Sequence, residues 1–207
     1  MYLRVTAFKS DPARLDEGIA FLKDKIVPSL SQVPGFVGAT AVVNREKSTG
    51  AASTLWESLE AMNKAEQAGM QARIDSEAET GIEVLDVDRF EITRLEVPSG
   101  PRQLPSYTRI ITGYGDPARL ETATEMLREQ VSLLKAQPGF RAFAAGANRA
   151  TGRAFTTSSF DTAENREASN AVMEPFRKKI LEAGSLYGVQ IDLVETVVAE
   201  IKVPATA

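Results

Sequence analysis

Two arginines stand at matching places in this chain, each near the start of a strand-like run that opens with a tyrosine: Tyr2-Leu3-Arg4 and Tyr107-Thr108-Arg109. A guanidinium is permanently charged and presents a planar fork of donors, so Arg4 and Arg109 are groups that could hold a substrate anion by charge-assisted hydrogen bonds. Tyr2 and Tyr107 could donate or relay a proton beside them. Trp56 and Phe160 offer aromatic faces on which a ring could stack. The candidate catalytic set is therefore Arg4, Arg109 and Tyr2, and the candidate substrate-binding set Trp56, Tyr107 and Phe160. Together they suit a small, ring-bearing anion. The same residues have structural roles open to them: the arginines as ion-pair partners at strand ends, Trp56 as a core aromatic, Tyr2 as part of a fraying terminus.

What is missing narrows the chemistry further. There is no histidine and no cysteine among the 207 residues, which removes Ser-His and Cys-His nucleophile pairs, histidine-ligated zinc or iron, proximal-histidine haem, thiolate catalysis and disulfides. Asp75, Glu77 and Glu79 lie in a polar stretch read as following a helix, without the glycine turn of a calcium loop, and read as solvated surface. Gly113-Tyr114-Gly115 lacks the remaining glycine and the parallel-sheet context of a phosphate loop. No metal and no cofactor is expected. A formal net charge of -4 without a long basic run argues against nucleic acid or an anionic membrane as partner. The N-terminus lacks an apolar signal core and no run of about eighteen apolar residues occurs, so the expected location is cytoplasmic.

The elements that must position these residues occur twice. Asp-Pro-Ala-Arg-Leu at 11–15 returns at 116–120; Pro34-Gly35-Phe36 is answered by Pro138-Gly139-Phe140, and Asn44-Arg45 by Asn148-Arg149. A collinear series of this kind implies two copies of one unit. Each copy reads strand, helix, strand, strand, helix, strand. The first strand runs from Tyr2 to Phe8, with Leu3, Val5 and Ala7 on one face and Tyr2, Arg4, Thr6 and Phe8 on the other. A helix N-capped by Asp11 follows, with an apolar stripe from Leu15 through Leu30, ending at Pro34-Gly35. Asp116, Pro117 and the stripe Leu120, Leu127, Val131, Leu134 repeat the pattern up to Pro138-Gly139.

The hairpin strands are 36–43 and 51–57, then 140–147 and 154–160, with Asn44 and Asn148 serving the turns. Ser58 and Thr162 cap second helices at 59–74 and 163–183, the latter kinked at Pro175. Closing strands run over 82–97 and 187–203, both ending in Val-Pro. These boundaries define a first ferredoxin-like repeat at 1–98, a linker at 99–105 and a second ferredoxin-like repeat at 106–207. The expected fold class is α+β: two tandem βαββαβ repeats packed sheet to sheet as a pseudo-dimeric barrel, with a cavity between the repeats.

The string Leu55-Trp56-Glu57-Ser58 followed by Glu60-Ala61, preceded by the Pro34-Gly35-Phe36 turn, resembles the strand-to-helix junction of the antibiotic biosynthesis monooxygenase-like family of the dimeric α+β barrel superfamily. The second copy carries Phe160-Asp161-Thr162 at that junction and resembles it more faintly. The resemblance implies a ferredoxin-like barrel and a cofactor-independent monooxygenase acting on a small aromatic or quinol-like metabolite in the inter-repeat cavity; a non-catalytic small-molecule-binding or structural protein of the same fold is the alternative. Haem-degrading relatives use an Asn on the first strand and a Trp and a His on the second helix, and residues 2–8 and 59–74 contain none of the three. The partner expected is a small-molecule ligand, with the pseudo-dimer complete within one chain and a homodimer of such chains open. Any site should be asymmetric and centred on the first copy.

Overall fold

The computed structural model describes residues 1–97 and 103–202, apart from the side chains of 120 and 121. The described residues form an α+β protein whose strand pairings are antiparallel. They divide into two compact units, the first comprising Met1–Arg89 with the chain from Glu195 onward, the second Phe90–Val194.

Unit one starts with β1 (Tyr2–Lys9). Asp11 does not cap the helix as expected. Its Oδ1 accepts from Ala13 N (2.8 Å) and closes a turn, and helix α1 (Leu15–Phe21) begins four residues later. The expected single helix is also interrupted: α1 passes into a π-helical stretch, Leu22–Ile26, before α2 (Val27–Leu30). Pro28 is the physical reason, since it cannot donate to the carbonyl four residues back and the wider turn absorbs the gap. Strands β2 (Phe36–Asn44) and β3 (Thr49–Trp56) form the hairpin. Ser58 caps α3 (Leu59–Lys64) by accepting from Ala61 N, and after a break at Ala65 a further helix, α4, runs from Glu66–Thr80. Asp75, Glu77 and Glu79 thus lie within a helix rather than after one, because no breaker precedes Gly81, whose φ of 68° ends it. The long strand β4 (Glu83–Glu96) follows.

Unit two repeats the order with fewer interruptions: β5 (Ser106–Tyr114), α5 (Leu120–Lys135), β6 (Phe140–Ala147), β7 (Arg153–Phe160), α6 (Ala163–Ala183) and β8 (Tyr187–Ile201). Asp116 again serves a turn, accepting from Ala118 N at 2.9 Å. Thr162 caps α6, which continues as one helix through Pro175. The expected linker falls largely on residues 98–102, and the Pro of the second Val-Pro at 204, both outside the described residues.

The long strands carry the less obvious part of the topology. In unit one β3 lies between β1 and β2, and β2 pairs on its other side with the last stretch of β8, Gly38 opposite Ile201. In unit two β7 lies between β5 and β6, and β6 pairs with the last stretch of β4, Ile92 opposite Gly146. Each long strand therefore crosses a unit boundary: β4 belongs to unit one up to Arg89 and to unit two from Phe90, and β8 to unit two up to Val194 and to unit one from Glu195. The turn arginines fasten these ends: Arg45 Nε donates to Glu195 (3.0 Å) and Arg149 Nε to Glu91 (3.0 Å). Asn44 and Asn148 accept from backbone N–H groups in the turns beside them.

Candidate functional site

Each unit encloses a cavity between its sheet and its helices. In unit one the face of β1 bearing Arg4, Thr6 and Phe8 turns toward the helices and, with Ala41 of β2 and Ala52 of β3, floors a space of about 80 Å³. Small residues leave the room. In unit two Ile111 and Gly113 of β5, with Ala145 and Ala147 of β6, floor a space of about 110 Å³ under α5 and α6. The unit-two space approaches the ~150 Å³ apolar cavity that takes up benzene, and the unit-one space is about half that size.

Arg4 is 3% exposed and stands at the wall of the unit-one cavity. Its Nη2 donates to Met62 O (2.6 Å) and to Glu66 Oε2 (2.8 Å), and its guanidinium lies 6.0 Å from the Trp56 ring centroid, at the outer limit of a cation–π contact. Gly69 of α4 makes this possible, since a Cβ there would meet Arg4 Nη1 at 2.5 Å. Arg4 Nε is buried and has no hydrogen-bond partner. Glu66 also accepts from Arg73 (3.0 Å) and Arg89 (2.8 Å). Burial disfavours the Glu66 charge, but the hydrogen bonds from Arg89 and Arg73 and the charge of Arg4 outweigh it and hold its pKa below the ordinary carboxylate value. Burial pulls the Arg4 pKa down; Glu66 opposes that, while Arg73 and Arg89 add to it. A guanidinium remains charged through such a shift.

This arrangement yields a pH prediction. Glu66→Gln should cost about 1–2 kcal/mol near pH 7, less than a fully buried pair because the Glu66 side chain is 38% exposed. A carboxylate whose folded pKa is depressed stabilises above its unfolded pKa of about 4.3, and that contribution is lost as pH falls through the folded value. The deficit of the variant should therefore be full at neutral pH and shrink in acid. Urea unfolding at both pH values measures it, and a deficit that grows in acid would contradict the assignment.

The other expected residues of unit one lie near Arg4. Trp56 is fully buried, opposite Tyr2 on β1 and Phe36 on β2, and its Nε1 donates to Thr54 Oγ1 (3.0 Å). Tyr2 packs half-buried against the Trp56, Met62 and Ala65 cluster. In unit two Tyr107 is half-buried opposite Phe160, which is fully buried in the core. Arg109, 3% exposed, donates to Arg166 O (2.9 Å) and Ser169 Oγ (3.2 Å), with Glu167 at 3.6 Å. It does not line the unit-two cavity. Met173 of the core stands where unit one has Gly69, thirteen residues after Phe160 and Trp56 respectively.

Four residues that matter to these cavities escape the sequence reading: Glu66, Arg73, Gln130 and Arg177. A signal for them exists. Glu66 and Arg73 follow Trp56 by the same intervals at which Asn170 and Arg177 follow Phe160, and Gln130 interrupts the apolar stripe of Leu127, Val131 and Leu134.

No family model matches the chain. Over 62 residues it is 37% identical to the uncharacterised protein Rv2558 of Mycobacterium tuberculosis strain H37Rv, covering 30% of this chain and 26% of that protein, about a quarter of the relative's length. The uncharacterised protein Rv2557 of the same strain is 26% identical over 178 residues, 83% of this chain and 78% of that protein. Among solved structures, a protein of Lactobacillus acidophilus NCFM described provisionally as a monooxygenase superposes with a TM-score of 0.74 at 10% identity, covering 97% of this chain and 96% of that one. An anthrone oxidase-like protein gives 0.66 at 16% identity over 100% and 97%. A heme-degrading enzyme from Listeria monocytogenes gives 0.55 at 8% identity over 94% and 98%. The chain has the antiparallel α+β fold of these proteins. At such identities the likeness is one of fold, and one fold hosts many chemistries.

Proposed function

We propose that the chain is built from two copies of one unit and that the first copy binds a small phenolic or quinol-like metabolite in its sheet-to-helix cavity, passing electrons from the bound anion to dioxygen without a resident cofactor. The observation that carries this reading is the buried, unpartnered Nε–H of Arg4, a residue that lines an otherwise largely apolar space. A buried donor without an acceptor is costly, and a ligand oxygen would supply one. Charge held there favours the deprotonated substrate, whose electron-rich carbon can react with dioxygen. For a substrate with an activated methylene, the methylene and one dioxygen become a ketone and one water. One oxygen atom enters the carbon; the other leaves as water with the two methylene hydrogens. Arg4 stabilises the anion, Trp56 and Tyr2 pack behind it, and the Tyr2 hydroxyl is the candidate proton relay. The fold likeness to an anthrone oxidase-like protein supports the substrate class. A haem mechanism that rests on a proximal histidine finds no support in this chain, which has no histidine.

The test is oxygen uptake by metal-free protein with a panel of anthrones and quinols. Turnover is expected with at least one, falling tenfold or more in Arg4→Gln; a panel without turnover would favour the non-catalytic ligand-binding alternative. That alternative has an observation of its own, since Arg4 Nη2 is already engaged by Met62 and Glu66 and Trp56 has its N–H satisfied. If it holds, Arg4→Gln should shift ligand affinity or melting temperature with no reaction found.

A further inference from the structure

We propose that the cavity of unit two is a separate binding site for a small aromatic carboxylate, received by Arg177 and Gln130. It goes beyond the oxidative reading of unit one and stands independently of any turnover there.

The two cavities share a framework but differ in where charge is neutralised. In unit one the carboxylate of Glu66 takes hydrogen bonds from Arg4, Arg73 and Arg89. Ten residues after Phe160, where Glu66 stands ten after Trp56, unit two has Asn170. Arg177, the counterpart of Arg73, therefore donates its Nη2 to an amide oxygen rather than a carboxylate. The charged groups that face Arg177 are Glu174 and Glu167, both on the exposed side of α6, and the like charge of Arg177 weighs on Arg109. Burial and the loss of the internal carboxylate leave a guanidinium at the cavity wall with its charge incompletely compensated. An entering anion is the natural complement.

A second observation points the same way. Gln130 of α5 is 5% exposed, lines the same cavity, and its Oε1 is buried without a hydrogen-bond partner. Eight residues before the Pro-Gly stop, it occupies the register position at which unit one has Ile26, an apolar lining residue. A polar side chain in the place of a core Ile is costly to bury with its oxygen unsatisfied, and the cost is removed when that oxygen turns away and the NH2 meets a ligand acceptor. The terminal O and N of an amide exchange by a simple flip, so Gln130 can turn its NH2 toward an anionic oxygen. Guanidinium and amide together match the two oxygens of a carboxylate. The rest of the wall, including Ile111, Leu127, Ala145, Phe155 and Ile180, is apolar, and the space of about 110 Å³ is on the scale of a single ring.

Calorimetric titration of the full chain with benzoate and with benzamide, its neutral counterpart, tests this. Expected are one benzoate per chain, benzamide at least tenfold weaker, and a loss of tenfold or more in benzoate affinity in Arg177→Gln and in Gln130→Leu. Asn170→Glu, which gives Arg177 the internal carboxylate that unit one has, should cause a similar loss, and it decides the matter should Arg177→Gln fail to fold. Lys178→Gln removes a neighbouring exposed charge and should leave affinity within twofold. Equal affinity for benzoate and benzamide, absence of benzoate binding to folded protein at millimolar concentration, or benzoate binding that survives Arg177→Gln but is lost in Arg4→Gln would each overturn the proposal. Failure of the anthrone and quinol panel would leave it untouched.

Discussion

Trp56→Ala should lower stability by about 3–5 kcal/mol, the cost of deleting a large buried aromatic and leaving a cavity behind. In a chain of 207 residues that corresponds to a fall in Tm of roughly ten degrees or more. The expectation follows from the surroundings of the indole. It is 0% exposed, sits edge-to-face on Phe36 at 5.5 Å, and packs on Met62 and Ala65 beneath the start of α3 and α4. Among the described residues the core of unit one falls into several smaller clusters, whereas a larger cluster in unit two runs from α5 through β6 and β7 to α6. Trp56 is the largest side chain of its cluster, so neighbours have little with which to refill the hole. Trp56→Phe should cost much less, about 1–2 kcal/mol, because Phe160 fills the corresponding place in unit two against Phe140. Scanning calorimetry of the two variants measures the difference. A loss below about 1 kcal/mol for Trp56→Ala would mean that the indole is not packed as described. Because Arg4 leans on the Trp56 ring, the alanine variant should also loosen the guanidinium and weaken any ligand held by Arg4 Nε–H.

The parts of this molecule that can be read from sequence are those fixed by local chemistry. Pro34-Gly35 and Pro138-Gly139 announce turns because only glycine adopts the φ of 83° and 70° found there without strain. Ser58 and Thr162 announce helix starts because a hydroxyl at that place satisfies a free N–H. Tyr2 and Arg4 share a face because strand side chains alternate, and the β1 to β3 register, which is not local, adds Trp56 to them. The features that escape arise from interactions between distant residues. No local signal tells that β4 and β8 pass from one unit to the other partway, since apolar and polar residues mix on both sides of the boundary. A similar effect hides the unit-two cavity. Asn170 and Gln130 are ordinary helix residues until they are set against Glu66 and Ile26. The Pro28 interruption is legible but outweighed by the apolar stripe around it, and Asp75, Glu77 and Glu79 read as a loop only while charge density outweighs the absence of a breaker.

The strand exchange itself predicts the second large effect. Gly38→Ala should destabilise by about 2–4 kcal/mol, because the added Cβ would lie 2.3 Å from Glu200 O and 2.6 Å from Ile201 Cα. Those are backbone atoms of β8, and no rotamer change moves them aside. Relief requires the last stretch of β8 to separate from β2, which would break the bond from Lys202 N to Val37 O (2.8 Å) and pull the buried Val198 away from Val27, Ala39 and Ala41. Gly18→Ala supplies the contrast: the nearest atom to its Cβ is Ile82 Cγ2 at 3.6 Å, an ordinary contact inside a helix, and alanine there should be neutral or stabilising by up to ~1 kcal/mol. Hydrogen exchange gives the sharper readout. In Gly38→Ala the amides of β2 and of residues 195–201 should lose protection while β6 and β7 keep theirs, since only the unit-one end of β8 is displaced. Equal stability of Gly38→Ala and the parent protein would show that the end of β8 does not pair with β2 at Gly38.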